Sequence, residues 1–417
     1  MKKEEKTVRD SIRRVCALVL LSLAFVVRAN AENPVMIGSL YYNLDADNLT
    51  AQVGDNKDIT VENVSIPATV SYGGKTYRVT SIQEDAFLGN FYIKSVTFAA
   101  NSNLKTIGNS AFSCCGDLAV ISIPSSVTNV GSWAFSDTEW FNNQPDGLVY
   151  LDNWLLEYKG NNPSGAISVN PNTKAIADRA FWGCNGITSV SLPSSLKTIG
   201  EEVFNGCSSL STLTIAANSQ LEKIGTNAFL ECHISSLTIP SSVTDIGWGA
   251  FSYCNISSLT FAPGTNLTSI GGAAFSGNPF SSITIPACVT TIGANAFCDC
   301  NNLKSIVIPS GVTSIGNEAF SSCSELSSVT IPSSVNEIGE YAFHNCGKLA
   351  TVSIPGSGTT IIGKLAFSYC AGLKSVIIGN GVKTIGSESF SDCSLLETVS
   401  IGNNVETIDN QDRKSVV

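Results

Sequence analysis

Cysteine is the most frequent residue in this chain that could carry nucleophilic or metal chemistry. The 417 residues include 14 cysteines but only 2 histidines. Thiols at regular intervals can form disulfides, bind metal ions or act as buried hydrogen-bond donors. Ten of the cysteines follow a phenylalanine by three positions: Cys115, Cys184, Cys207, Cys232, Cys254, Cys300, Cys323, Cys346, Cys370 and Cys393.

The other residues found at this position favour the hydrogen-bonding role. Asn90, Thr138 and Asn278 replace the cysteine, and all are small side chains that can hydrogen-bond a backbone carbonyl in a tight bend. Equivalent side chains on stacked strands stay about 4.8 Å apart, whereas the Cβ atoms of a disulfide prefer about 3.8 Å. Metal ligands converge on one point. We expect buried thiols and no metal site, with disulfides as the alternative, and exposed thiols at Cys288 and Cys298.

Residues suited to catalysis are sparse. His233 and His344 lie five repeats apart, which at about 4.8 Å a repeat separates them by roughly 24 Å. Ser-x-x-Lys occurs at 102–105 and 194–197, but a serine-rich chain produces such matches by chance. Nucleophile-elbow, paired-histidine zinc and phosphate-loop motifs do not occur. We therefore expect a protein that is not an enzyme, with no catalytic residue and no cofactor.

The elements that position these residues follow from a repeat of about 23 residues. Gaps between successive phenylalanines run from 22 to 25 residues, except for one of 46 that spans a degenerate unit. A period in this range indicates a solenoid, in which each unit buries its apolar face against its neighbours. The repeated phenylalanines are Phe87, Phe112, Phe135, Phe181, Phe204, Phe229, Phe251, Phe275, Phe297, Phe320, Phe343, Phe367 and Phe390.

One unit shows the pattern within a coil. Val329 and Ile331 alternate with polar residues, which predicts a strand with one buried face, and Pro332 ends that strand. Gly339 stands where 11 units have glycine, which indicates a positive φ or a close backbone approach at a corner. The stretch 340–343 ends in Ala-Phe and predicts a single helical turn laid over the strands.

The repeated pattern I-P-S-S-V-x-x-I-G-x-x-A-F-x-x-C, best seen at 123–135 and 331–346, resembles the BspA-like branch of the leucine-rich repeat proteins. The lead-in segments 38–43 and 66–77 are also similar to that family. The resemblance implies an α/β repeat solenoid, a right-handed stack of about 14 coils with short strands and a short helical turn each. It also implies display at the bacterial cell surface and adhesion to host or partner macromolecules.

The chain divides into four segments. Residues 1–31 have a basic start, an apolar run of 12 residues and an Ala-x-Ala site, which predicts a cleaved signal peptide. A β cap over 32–80, the solenoid over 81–408 and a polar tail over 409–417 follow. The tail is interpreted either as a polar cap or as the end of a truncated relative. Cleavage leaves a net charge of −14, which disfavours nucleic acid and anionic membranes as partners.

The degenerate unit concentrates aromatic residues. A turn-rich loop from Trp140 to Gly147 precedes a predicted hairpin with a two-residue turn, so the insertion covers about 140–160. Trp140, Trp154, Tyr158 and Trp182 lie in or beside it. These rings either form a contact surface for a sugar or a partner chain, or pack the hairpin onto the stack.

A second candidate surface is an edge of the stack carrying Trp248, Tyr253, Tyr341 and Tyr369. Together these features predict a secreted or cell-surface, adhesin-like binding protein. It is expected to be a monomer that does not enter the membrane once the signal peptide is removed. Its expected ligand is an extracellular protein or glycan. A structural spacer and a polysaccharide-binding accessory protein are the alternatives.

Overall fold

The computed structural model describes residues 33–409, which form a β-solenoid of about 14 coils. The predicted signal peptide and the tail beyond Asp409 lie outside the described residues. Each regular coil contributes one strand to each of two parallel ladders, which we call the long-strand and short-strand ladders. Alternating Val or Ile side chains from both ladders point into a shared core, because successive residues of a strand face opposite sides.

The long-strand ladder pairs equivalent residues of neighbouring coils in register, as in Val329 with Val352. Its pairing is interrupted between some coils, among them the pair 258–261 and 282–284. Its strands are Asn63–Ile66, Ser95–Phe98, Ser164–Ser168, Gly186–Leu192, Thr212–Ile215, Ser236–Ile239, Ser258–Phe261, Ser282–Thr284, Ser305–Val307, Ser328–Thr330, Thr351–Ile354, Ser375–Ile378 and Thr398–Ile401.

The short-strand ladder lies on the other side of the core, and its isoleucines stack in register from coil to coil. Most of its strands have only two residues, because the corner glycine follows at once. They are Thr106–Ile107, Asn129–Val130, Ala175–Ile176, Thr198–Ile199, Lys223–Ile224, Asp245–Ile246, Ser269–Ile270, Thr291–Ile292, Ser314–Ile315, Glu337–Ile338, Thr360–Ile362, Val382–Ile385 and Thr407–Ile408.

The N-terminal cap is continuous with the stack. Its long strand Lys75–Ile82 pairs in parallel with Thr50–Val53 on one side and with the first short strand on the other. Cap and first coils therefore share one sheet and one hydrophobic cluster. The strands particular to the cap are Val35–Ile37, Leu40–Asp45, Thr50–Val53, Thr69–Tyr72 and Lys75–Ile82.

The predicted helical turn in each coil is wrong, because this segment forms a third ladder made of turns. The N–H groups of Glu318, Phe320 and Ser322 donate to carbonyls of the next coil, each at 2.8 Å. The intervening Ala319 and Ser321 donate to the carbonyl three residues before them. Glu318 and Ser322 have positive φ angles of 56° and 59°, which interrupt any helical bonding pattern. We call this alternating arrangement the turn ladder.

Phenylalanine rings fill the space beneath the turn ladder. Neighbouring rings of the stacks Phe87–Phe135 and Phe181–Phe390 are nearly parallel, with centroids 4.9 to 5.9 Å apart. Stacked aromatic pairs at this spacing are favourable, and each ring also removes a large apolar area from water. The period read from the sequence is therefore the height of one ring in this column.

The corner glycines bring successive coils into contact. Their φ angles are not positive, so close backbone approach, the other interpretation of the repeat, accounts for them. A Cβ built on Gly316 would lie 2.5 Å from the Ala294 nitrogen, and one on Gly339 would lie 2.5 Å from the Asn317 nitrogen. Real Cβ atoms do not approach backbone atoms so closely, so a side chain at the corner would push two coils apart.

We predict that Gly316→Ala lowers the free energy of unfolding by at least about 2 kcal/mol, since overpacking against rigid backbone is costly. Urea unfolding followed by circular dichroism measures this change. Gly347→Ala is the matched control, because a Cβ there meets no atom within 4 Å and its φ is not positive. Equal losses in the two variants would contradict the close-approach explanation.

The thiols of the cysteine ladder donate to backbone carbonyls, as predicted. Each Sγ lies 2.8 to 3.4 Å from the carbonyl oxygen of the phenylalanine in the preceding coil, for example Cys254 to Phe229 and Cys323 to Phe297. Asn278 makes the same bond to Phe251 through its Nδ2 at 2.8 Å. Cys184 departs from this pattern, because the coil before it has no phenylalanine at this place.

Two cysteines expected to be exposed are not. Cys298 is half-buried, and burial raises the pKa of its thiol to about 11. Cys288 is also half-buried and donates to two carbonyls, those of Thr265 and Leu267. Cys114, which falls outside the sequence pattern, is the exposed thiol of this region.

We predict that a maleimide labels Cys114 of the native protein within minutes, while Cys207 and Cys232 react only after denaturation. Burial raises the pKa of Cys207 to about 12, and a thiol rather than a thiolate reacts slowly. Peptide mass spectrometry after timed labelling measures the order of modification. Labelling of the ladder cysteines as fast as Cys114 would contradict a closed core.

Candidate binding surface

The inserted segment begins with a short helix where a turn-rich loop was predicted. Helix α1 spans Glu139–Asn142, and the Thr138 hydroxyl accepts a hydrogen bond from the Phe141 N–H at its start. Thr138 thus uses the small polar position of the repeat to begin a helix, since a Thr N-cap satisfies an otherwise unpaired N–H. The buried Phe141 ring then anchors the helix.

The hairpin follows as predicted and replaces one coil of the stack. Strand Gly147–Leu151 pairs antiparallel with Trp154–Lys159, and the second strand then continues the short-strand ladder. Lys159 Nζ donates to three carbonyls at the end of helix α1, including that of Asn142 at 2.7 Å. The insertion is therefore a braced part of the core and not a free loop.

This position decides which predicted aromatic residues can meet a ligand. Trp154 is buried in the N-terminal hydrophobic cluster, and the partly buried Trp140 packs against the same cluster. Tyr158 is partly buried against the C-terminal cluster. The hairpin thus joins the two phenylalanine stacks, and packing accounts for these three rings.

Glu157 is a carboxyl group held inside this junction. Burial raises its pKa from 4.5 to about 7; the neighbouring Asp137 charge adds to the rise, while a hydrogen bond from the Ser136 hydroxyl opposes it. A raised pKa means that the folded state binds this proton more tightly than the unfolded chain does. Glu157 therefore contributes stability below about pH 4.5, and that contribution is lost as pH rises through about 7.

We predict that Glu157→Gln stabilises the protein at neutral pH, on the order of 2 kcal/mol relative to the parent, and has little effect near pH 4. Gln keeps the shape of the neutral acid and cannot ionise. Melting temperatures measured from pH 4 to pH 8 test this difference. Glu139→Gln, which alters an exposed carboxylate of the same segment, is the control. Parallel pH profiles for the parent and Glu157→Gln would contradict the prediction.

The turn ladder forms an exposed edge along the stack. Two residues in each regular coil have positive φ, one before the Ala-Phe pair and one before the cysteine position. Non-glycine residues adopt this conformation at a cost, and bulky ones are rarest. Tyr253, Tyr341 and Tyr369 nevertheless occupy such positions, and Trp248 precedes another. We call the surface bearing these four residues the aromatic edge.

Trp248 and Tyr253 extend from one coil over the next. Trp248 Cε3 lies 2.2 Å from where a Cβ of Gly272 would be, and Tyr253 Cδ1 lies 2.3 Å from the corresponding point of Gly277. The Tyr253 hydroxyl reaches Asp299 Oδ2, two coils along, at 3.3 Å. Both aromatic residues remain about half exposed, at 52% and 53%.

Tyr341, His344 and Tyr369 form a second aromatic group on the same edge. The His344 ring makes edge contacts with both tyrosines, at centroid distances of 5.5 and 5.3 Å. The Ser368 hydroxyl donates to the Leu365 carbonyl, so it accepts from His344 Nδ1 at 2.7 Å. Burial lowers the pKa of His344, which keeps the imidazole neutral at pH 7. Sequence reasoning missed this histidine, because its aromatic neighbours come from two coils.

The edge continues toward the hairpin with a different chemistry. Trp182 is 54% exposed, and Trp133 lies beneath the Arg179 guanidinium, 5.9 Å from the ring centroid. Arg179 also donates two hydrogen bonds to Glu202 at 3.0 and 3.1 Å. Trp133 is thus occupied by an intramolecular cation, whereas the ring of Trp182 is open to solvent.

The comparisons with known proteins agree on one family. The model of the BspA type leucine rich repeat region matches residues 60–144, 174–304, 222–346 and 290–412, which together cover most of the chain. The protein belongs to the BspA-type leucine-rich repeat family. No curated protein is similar enough to match it.

Similar solved structures are leucine-rich repeat proteins of bacteria. One from Bacteroides ovatus is 24% identical, with 88% of this chain and 94% of that chain covered and a TM-score of 0.47. A leucine rich cell surface protein of Faecalibacterium prausnitzii is 23% identical, covering 93% and 98%, with a TM-score of 0.36. The pneumococcal vaccine antigen PcpA is 19% identical, covering 92% and 95%, with a TM-score of 0.41.

The long-strand ladder of this BspA-type protein presents another kind of surface. Its outward positions are mostly serine and threonine, and Thr238 and Thr260 hydrogen-bond each other at 2.9 Å. A depression of about 740 Å³ opens where the pairing between 258–261 and 282–284 is interrupted. Between residues 33 and 409 no cluster of side chains is suited to a metal ion, and no helix is long and apolar enough to cross a membrane.

Proposed function

We propose that this BspA-type protein acts outside the cell as a non-enzymatic binding protein, recognising an extracellular protein or glycan through the aromatic edge. The observation that carries the proposal is the placement of large aromatic residues at positions of positive φ. Folding alone favours glycine or asparagine there. Keeping Tyr253 and Tyr369 half exposed in that conformation is therefore a local cost, and such costs concentrate at functional sites.

Further support comes from the surfaces around the edge. Aromatic residues are enriched at the centres of binding sites, since one ring supplies much contact area with little loss of conformational entropy. Trp182, Trp248, Tyr253 and Tyr369 are all more than half exposed. The predicted signal peptide and the net charge of −14 fit an extracellular role with neither nucleic acid nor an anionic membrane as partner. We propose a monomer, in which the edge is free along its whole length.

The test is binding of the chain from residue 32 onward to immobilised extracellular glycoproteins, to the same proteins after deglycosylation, and to free glycans. The variant Trp248→Ser/Tyr253→Ser/Tyr369→Ser removes the aromatic edge. Val307→Ser/Ile377→Ser is the matched control, because it removes exposed apolar residues from the long-strand ladder instead. We expect the edge variant to lose at least tenfold in affinity, with an unchanged melting temperature, and the control to bind like the parent.

Two results would contradict this function. Loss of binding in the control but not in the edge variant would place the contact surface on the long-strand ladder. Absence of binding to every component would favour the structural spacer. Trp154→Ala checks the hairpin separately: packing predicts a loss of about 3 to 5 kcal/mol in stability, as for other buried large aromatic residues.

A further inference from the structure

Trp248 and Tyr253 form a platform whose base is bare backbone. Neither ring could keep its place if Gly272 or Gly277 carried a side chain, since Cβ atoms there would lie 2.2 and 2.3 Å from ring carbons. Gly277 has a positive φ and would be favoured in any case, but Gly272 does not. The place of Gly272 is taken in other coils by polar or charged residues: Asn109, Asp178, Glu201, Asn317, Glu340 and Lys364.

The glycine at 272 is therefore explained by the indole above it and not by the backbone. Each ring covers backbone of the next coil while about half of its residue surface stays open to solvent. The bond from the Tyr253 hydroxyl to Asp299 Oδ2 restrains the second ring over Gly277. Two restrained aromatic rings thus share one patch, and we call this patch, with Asp299, the platform.

The chemistry around the rings limits what can bind them. Asp299 offers a carboxylate that accepts hydrogen bonds from hydroxyl groups, and charge-assisted bonds of this kind are strong. Further along the edge, Asn295 Nδ2 donates to Glu318 Oε2 at 3.2 Å, which places an amide and a second carboxylate nearby. Acidic sugars and phosphates are repelled by these groups and by the net charge of −14. A ligand with one apolar face and several neutral hydroxyl groups satisfies both the rings and the carboxylates.

We propose that the platform binds a neutral glycan, with the C–H face of a pyranose ring stacked on Trp248 or Tyr253 and a sugar hydroxyl donating to Asp299. This inference rests on the proposed function and names its ligand class. The second aromatic group, Tyr341 with His344 and Tyr369, lies three to five coils further on, roughly 15 to 25 Å at 4.8 Å a coil. A chain of several sugar units spans that distance, so the two groups are placed to hold one extended glycan.

The experiment is affinity electrophoresis in native gels that contain mannan, galactan, β-glucan or dextran, followed by titration calorimetry with the polysaccharide that retards the parent. Trp248→Ser removes one ring, and Gly272→Asn restores the side chain common in other coils, which displaces the indole without removing it. Trp182→Ser is the matched control, since Trp182 is equally exposed and covers no glycine. Melting temperatures verify that each variant folds.

We expect Trp248→Ser and Gly272→Asn each to weaken binding at least tenfold and Trp182→Ser to change it less than twofold. Retardation of none of the four polysaccharides, or equal binding by the parent and Trp248→Ser, would overturn the inference. So would edge-dependent binding to glycoproteins that survives deglycosylation, but that result would leave the proposed function standing with a protein as ligand. Loss of glycoprotein binding on deglycosylation, matched by loss in Trp248→Ser, supports both.

Discussion

Backbone hydrogen bonding between successive coils is the constraint on which the rest of this structure depends. Three ladders bond each coil to the next, and they can form together only if neighbouring backbones approach closely at the corner. Gly316 and its equivalents permit that approach, because a Cβ there would overlap the preceding coil. The phenylalanine stack and the thiol ladder then follow, since in-register coils place equivalent side chains one above another.

The turn ladder connects this architecture to recognition. Bonding every second N–H group to the next coil requires positive φ angles at two places per coil, and the side chains at those places form an exposed edge. Most coils place small or polar residues there, whereas a few carry tyrosine. The fold therefore offers a regular row of outward positions in which single residues can change without disturbing the core. Trp248 and Tyr253, with glycines beneath them, are such a local change.

The hairpin shows how the stack accommodates an irregular unit. Its second strand keeps the short-strand ladder continuous, with Leu155 opposite Ile176, while the missing phenylalanine is replaced by packing around Trp154. Burying Glu157 and tryptophan at this junction joins two phenylalanine stacks that no longer touch. Aromatic density in a sequence thus has two physical meanings here: packing at the junction and exposure along the aromatic edge.

The sequence by itself determined the solenoid, the period of its coils, the hairpin and the hydrogen-bonding role of the cysteines, because each depends on which residue types recur at fixed spacing. It could not distinguish a helical turn from the turn ladder, since Ala-Phe preceded by polar residues suits both and the bonds of the ladder go to another coil. The exposure of Trp248 and the burial of Trp154 were likewise decided only by tertiary structure. A ring's surroundings depend on residues one or two coils away, such as Gly272 and Asp299, and a repeat period does not specify those contacts.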